Sequence, residues 1–389
     1  MTSAAIESDP HWRRSALAVA ALFFVNGMTF SNWLPRIPEV RDRLGMNNAG
    51  LGASLLGGGL GGLVGSLLVA QVQRRWGTKR TVLVAATSLA VSLPLIAATR
   101  SPVALTAVLT TLGLFDVMND MAMNAQGVFV QRRLGCSIMN RLHGTWSLGF
   151  TLGALLGSLA VATHVPIVGH LVAVGAVMAA TVVGVRSLLV AIDDPVAPMH
   201  ATVPHGPSPS VIAMAFMAGG AACFEGAPND WSAVLLRDAF EAGRWSGAAT
   251  VVFAGAMLVG RMSGDHLLDR VGRQRLLTLA LSVSGTGALI VVLAPGLFVG
   301  LIGFAVWGLG ISVVFPQIYA TAASLNGVSS GAGLGAMGVG QRLGFLIGPL
   351  GIGVLAQVQG LQFALTFAVV ASLSVILVAR WWIARRAPS

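Results

Sequence analysis

Asp116, Asp120 and Asn124 recur at four-residue intervals in the stretch LFDVMNDMAMNAQG, with Asn119 beside them. A spacing of four places side chains on one face of an α-helix. The surrounding residues are apolar enough for that helix to lie in a bilayer. An ionisable group in such a place is costly unless it faces a cavity or a partner, so its default role is to handle an ion or a solute. A polar seam bonded to a neighbouring helix would use the same residues. A second apolar stretch carries Glu225, Pro228 and Asp230. Pro228 has no N–H to give the Phe224 carbonyl, and Gly226 loosens the same turn, which predicts a kinked or broken helix beside Glu225. A third stretch puts Gln341 and Arg342 at similar depth. A deep arginine needs an anion, and Glu225, Asp116 and Asp120 are the candidates.

A fourth stretch holds Trp307, Phe315, Pro316, Gln317 and Tyr319, the only tyrosine in the chain. An aromatic and amide lining suits the faces and hydroxyls of a sugar, and it equally suits packing in a helix bundle. Trp33 and Trp231, at the ends of their stretches, read as interfacial anchors. Buried carboxylates resist ionisation, which lets them take up and release protons near neutral pH. No enzyme signature accompanies these groups: HExxH, the GxSxG elbow and the phosphate-binding GxxxxGK[ST] are all missing. The sequence thus assigns no catalytic residue, no cofactor and no direct ATP coupling. Cys136 and Cys223 stand outside any metal-ligand spacing, so no metal site is expected.

The elements that hold these residues follow from composition. Hydrophobic residues make up 55% of the 389-residue chain and charged residues 10%, against about 25% charged in soluble domains. Apolar runs of the ~20 residues needed to cross a bilayer alternate with short polar clusters. The reading is an all-α polytopic membrane protein, since a β-barrel would show ~10-residue alternating segments. Twelve spans are expected at about 15–34, 48–71, 81–99, 103–128, 143–163, 166–190, 210–234, 245–266, 276–294, 298–322, 333–356 and 362–383. The net charge of +10 is no sign of nucleic acid, because the basic residues sit in short connections.

The chain also repeats itself. LGFTLGALLG begins at Leu148 and LGFLIGPLGI at Leu343, 195 positions on; RWGTKR at Arg75 and RVGRQR at Arg270 share the same offset. Six spans per repeat is an even number, so the two halves are parallel repeats. The expected organisation is an N-terminal tail (1–14), a six-helix bundle (15–192), the Pro-rich linker (193–209), a second bundle (210–383) and a C-terminal tail (384–389). With the N-terminus in the cytoplasm, the inner connections and tails carry 15 Lys and Arg and the outer ones 6. That bias predicts a multi-pass protein of the cell (inner) membrane with both termini in the cytoplasm. Glycines recur at four-residue spacing in spans two, five and eleven, with Ala256, Gly260 and Gly264 in span eight. Small faces replace the missing hydrophobic drive for helix association in lipid; they fit four closely packed helices, and the period of three favours the alternative, a sliding seam between the halves built from these four spans.

Twelve spans, a six-plus-six parallel repeat and basic connections after spans two and eight resemble the major facilitator superfamily over about Ser15 to Trp382. That family's loop signature is G-x-x-x-D-R-x-G-x-R-R. The second copy here carries Asp269, Arg270, Gly272, Arg273 and Arg275, with Asp265 at the first glycine position. The first copy keeps Arg75, Gly77, Lys79 and Arg80, with Ala70 and Arg74 at the Gly and Asp positions. The resemblance implies a gating role for Arg75, Gly77, Asp269, Arg270, Gly272 and Arg273. DMAMNAQGVFVQRRLG, HGTWSLG and FEGAPNDWSAVLLRD are similar to a bacterial branch near the fucose:proton symporters, which includes many uncharacterised permeases. The expected function is alternating-access secondary transport of a small polar solute such as a sugar, by proton symport. Asp120 and Glu225 would carry the proton with Asp116 in support, and Asn119, Asn124, Trp307, Gln317, Tyr319, Gln341 and Arg342 would line the solute site. Proton-antiport efflux of a drug-like or metabolite substrate, and a transporter-shaped receptor that moves nothing, are the alternatives. The partners are a small molecule, protons and the lipid bilayer, with a monomeric protein.

Overall fold

A computed structural model describes residues 10–192, 208–325 and 328–385. The linker expected at 193–209 and the two tails fall mostly outside the described residues. All regular structure among the described residues is helical. Span one is Pro10–Trp33, followed by the short helix Ile37–Arg43; Asn48–Ala98 holds spans two and three. Spans four to nine are Pro102–Leu134, Met139–Ala162, Ile167–Val185, Pro209–Asp238, Ala248–Val271 and Arg273–Leu293. Span ten is Leu297–Ile311 with Val314–Ala323, span eleven Ser330–Gln359 and span twelve Leu361–Arg385. Among the described residues, ten helical stretches have the length and apolar composition to cross a membrane. One of these, 51 residues long, is two spans joined at Gly77, and Leu361–Arg385 adds the twelfth.

The repeat seen in sequence is reproduced in backbone geometry. Gly77 has φ 73°, ψ 161°; Gly272, 195 residues on, has φ 76°, ψ 159°. That region is open essentially to glycine alone. Each glycine turns the chain sharply from one span into the next without a loop.

The glycine contacts correct the expected four-span seam. A Cβ on Gly149 would overlap the Phe24 carbonyl, and one on Gly344 the Gly219 carbonyl; Phe24 and Gly219 are themselves 195 apart. Gly153 faces Ser31, Gly340 faces Ala215 and Gly260 faces Ser312. Thus span five seats on span one, span eleven on span seven and span eight on span ten. These small faces build tight helix pairs inside each repeat. Span two has two partners: a Cβ on Gly52 would lie 2.6 Å from the Pro349 carbonyl and one on Gly59 2.7 Å from Leu346 Cα, both in span eleven, while Gly61 and Gly65 face Thr110 and Leu114 of span four.

The chain divides into two compact units, Met1–Arg36 with Leu60–Ala197, and Ile37–Gly59 with Pro198–Ser389. The division falls inside span two rather than in the linker alone. In the second unit, Arg41 donates two hydrogen bonds to Asp238, at the end of span seven, and one to Asn48 at 3.1 Å. Asp42 pairs with Arg41 at 2.9 Å and with Arg237. Two cations and two anions thus tie Ile37–Arg43 to span seven.

Three further expectations are corrected. Of the two forms expected beside Glu225 the broken helix is overturned, since span seven continues through Pro228, and the Asn229 side-chain amide donates to the Glu225 carbonyl at 3.1 Å. The break falls in span ten instead, at Ser312 and Val313. Pro316 cannot donate to the Ser312 carbonyl, four residues earlier, and its ring crowds that carbonyl. Trp33 and Trp231 are 2% and 0% exposed, so they are core residues and not interfacial anchors.

Candidate functional site

Each unit brings polar groups together by itself. In the first unit, Asn26 of span one donates its side-chain amide to Asp116 Oδ1 at 2.9 Å and accepts from Trp146 Nε1, on span five, at 2.7 Å. Gly27 makes this reach possible, since a Cβ there would collide with the Trp146 carbonyl. Phe150 stacks against the Trp146 ring, with centroids 5.3 Å apart and planes 28° apart. One turn along span four, Asn124 donates to Asp120 Oδ1 at 3.0 Å and to the Asp120 carbonyl at 2.8 Å. The four-residue period therefore produces a line of polar groups: Asp116 is partly buried, Asp120 exposed and Asn124 partly buried. Asn119 points away from that line. It is fully buried, its amide donates to Met123 Sδ at 3.6 Å, and its Oδ1 has no hydrogen-bond partner.

In the second unit, Glu225 of span seven lies 3.8 Å from Arg261 of span eight, with side chains 13% and 28% exposed. Arg261, not Arg342, is the cation that the structure places on Glu225. Glu225 Oε2 and Asn229 Oδ1, near each other on span seven, are buried without a hydrogen-bond partner. Such groups are rare in folded proteins and call for an unseen partner, usually water or ligand. Gln341 and Arg342 are partly buried, between Gly340 and Gly344, which contact span seven. Gln317 is 5% exposed, with Oε1 unpartnered, and Tyr319 is 42% exposed.

Trp307 departs from its expected place as a lining residue. It is 0% exposed and is enclosed by Phe224, Phe253 and Phe304, at centroid distances of 5.0, 6.4 and 6.2 Å. Offset or edge contacts of this kind are the ordinary packing of aromatic rings. The ring pins spans seven, eight and ten together.

Sequence reasoning missed Asn26, Trp146 and Arg261. Arg261 had the clearest signal, a cation in the middle of span eight. Asn26 is a lone amide in FFVNGMTF, and Trp146 lies within HGTWSLG, which marked only a branch. Among the described residues, no cluster of His, Cys, Asp or Glu is placed to hold a metal ion.

Comparison with known proteins adds a frame to this geometry. The family model described as Major Facilitator Superfamily matches residues 19–326 and 238–389. An uncharacterised MFS-type transporter of Yersinia pestis is 29% identical over 349 residues, covering 88% of this chain and 89% of the relative. Membrane protein MosC of Rhizobium meliloti is 27% identical over 372 residues, 94% of this chain and 89% of MosC. Among solved structures, the nucleoside transporter NupG superposes with a TM-score of 0.73 at 15% identity, over 96% of this chain and 100% of its own. A bacterial homologue of the human lysosomal transporter Spinster, inward-facing and unoccupied, gives 0.71 at 11% identity, over 97% of each chain. At such identities the likeness is one of fold.

Proposed function

The chain belongs to the Major Facilitator Superfamily and is a multi-pass secondary transporter, not an enzyme; from that premise we propose that it couples proton movement to symport of a small polar solute by alternating access. The observation that carries this reading is the Glu225–Arg261 pair within spans seven and eight. A carboxylate and a guanidinium taken out of water are stable only together. Protonating Glu225 removes the charge that Arg261 rests against, so the pair has two states with different local electrostatics. A coupling device needs such a two-state element.

Asp120, with Asn124 bonded to it, is the second proton site in this reading, and Asp116 the supporting acid. Gln317, Tyr319, Gln341 and Arg342 face the solute. Arg75, Gly77, Asp269, Arg270, Gly272 and Arg273 form the turns at which neighbouring spans move against each other, with both termini in the cytoplasm. The branch near the fucose:proton symporters makes a sugar the first solute to try. A thermal-shift screen on detergent-purified protein would find ligands, since a ligand at 100 times its Kd stabilises by about 2.7 kcal/mol. In proteoliposomes, adding a ligand so found should alkalinise the outside medium. Acidification would establish antiport instead, and an unchanged pH during measured uptake would exclude proton coupling.

A further inference from the structure

We propose that the crevice between spans one, five and six holds an anionic phospholipid, with one acyl chain lying along span one and the phosphate resting on Arg14 and Arg141. The partner is the membrane's own lipid rather than the transported solute, so the proposal goes beyond the transport reading. Only its placing in the inner leaflet rests on that reading, through the termini lying in the cytoplasm.

Close packing on either side opens the crevice. Gly149 and Gly153 draw span five onto span one, and Gly175 draws span six onto span three, where a Cβ would lie 2.6 Å from the Ala90 carbonyl. Spans five and six both pack on span one and scarcely on each other. The gap they leave has a volume of about 270 Å³, and its lining includes Ala21, Phe24 and Met28 of span one, Thr145 of span five, and Val177 and Thr181 of span six. It is smaller than the ~300–1,000 Å³ of sites that enclose a drug-sized ligand, which suits a single chain. Thr145 donates to the Arg141 carbonyl and Thr181 to the Val177 carbonyl, each at 2.9 Å. With those hydrogens spent on their own helices, neither hydroxyl has one to give an occupant. Val177 is 67% exposed, so the crevice opens sideways, toward lipid.

Charge lies where such a lipid needs it. Arg14 precedes Ala21 by seven residues, on the same face of span one, and Arg141 precedes Thr145 by four, on the same face of span five. Both arginines are exposed, and neither forms an ion pair among the described residues. The only acids in the described part of the first unit are Asp116 and Asp120, both well inside span four. Uncompensated arginines at the cytoplasmic surface attract anionic headgroups. Leu17, 71% exposed, carries the apolar face of span one from Arg14 up to Ala21. At the helical rise, Ala21 lies ~10 Å and Met28 ~21 Å along the axis from Arg14. Half a bilayer measures ~20 Å from headgroup to midplane. A chain hung from a phosphate at Arg14 therefore runs the length of the crevice. A lipid with a neutral headgroup would fill the same crevice but leave the arginines unmatched.

The test uses full-length protein in detergent, with no solute and no ion gradient. Native mass spectrometry is read against dioleoyl phosphatidylglycerol, dioleoyl phosphatidylcholine and glycerol 1-phosphate, a phosphate ester with no acyl chain. Phosphatidylglycerol should bind on the order of tenfold more tightly than phosphatidylcholine, the effect of two arginines at a lipid surface, and glycerol 1-phosphate should not compete. Arg14→Gln combined with Arg141→Gln should bring the two lipids level. Arg132→Gln, which removes a cation from the end of span four, should leave the preference intact. Ala21→Leu narrows the crevice and should weaken both lipids, with size-exclusion profiles to check that it folds. Wild-type protein gives a reading free of any folding change: phosphatidylglycerol with a diazirine in one acyl chain should label span one within residues 21–28. The proposal is overturned by equal binding of the two lipids to wild type, by competition from glycerol 1-phosphate, or by a preference that survives in the double arginine variant. Equal loss of the preference in Arg132→Gln, unchanged binding by folded Ala21→Leu, or labelling confined to other spans would overturn it as well. Each of these results leaves proton coupling standing, because that reading is tested by the pH response to solute uptake.

Discussion

Glu225 and Arg261 lie 3.8 Å apart, in different helices and 36 positions apart in sequence. Removing one member of a poorly solvated ion pair strands the other, at a cost of about 3–5 kcal/mol for full burial and less here because Arg261 is 28% exposed. Arg261→Ala should therefore lower the detergent melting temperature, and adding Glu225→Gln to it should restore part of the loss. A double variant no more stable than Arg261→Ala would show that the two side chains do not share an energy. Residues along one helix face are legible in the sequence: the four-residue spacing of Asp116, Asp120 and Asn124 is enough to put them in line. Partners across helices are not. Periodicity orders residues about one axis and carries no information on which neighbouring helix supplies Asn26, Trp146 or Arg261. Trp307 shows the converse limit, because a tryptophan inside a span has the same local pattern whether it faces a solute or three phenylalanines.

Gly77 and Gly272 set the scale of elements, with φ of 73° and 76°. Side chains in that backbone region cost about 1–3 kcal/mol, so Gly77→Ala and Gly272→Ala should each lower stability by that amount. Equal effects at the two positions would reflect the repeat; a neutral result at both would mean that the turns relax. The spacing of 195 is enough to find these equivalent turns and the spans they join. Gly149 and Gly344 support a different prediction. Leucine at either should loosen the pairing of span five with span one, or of span eleven with span seven, and reduce the yield of monodisperse protein. Stable protein arrested in one access state would instead favour a sliding seam. Small-residue spacing reveals that a helix is closely approached, but not by which helix. Proline is ambiguous for a similar reason. Pro228 and Pro316 each remove a donor, yet span seven continues and span ten breaks, although Gly226 beside Pro228 makes span seven look the weaker of the two.

At the scale of the whole molecule, the twelve spans and their parallel repeat are legible because lipid leaves the backbone few choices. The attachment of Ile37–Gly59 to the second unit is not, since it depends on opposite charges far apart in sequence. Arg41 and Asp42 meet Asp238 and Arg237 in a reciprocal pattern. Arg41→Asp should impair transport, and combining it with Asp238→Arg should recover part of it by reversing the pair. No recovery in the double variant would show that the ion pair itself is not what matters. Asp42 and Asp238 are 41% and 37% exposed, and pairs open to water on the acid side contribute modest stability and weaken with salt, so the readout belongs in transport rate rather than melting temperature.

The central claim is proton coupling at Glu225. Once a transported solute is identified, its uptake into proteoliposomes should be measured with and without an imposed pH gradient, beside solute counterflow, for wild type and Glu225→Gln. Exchange requires no net proton movement, so Glu225→Gln should retain counterflow while losing gradient-driven accumulation. Accumulation driven by the gradient at the wild-type level in Glu225→Gln would contradict the account and move the proton site to another acid.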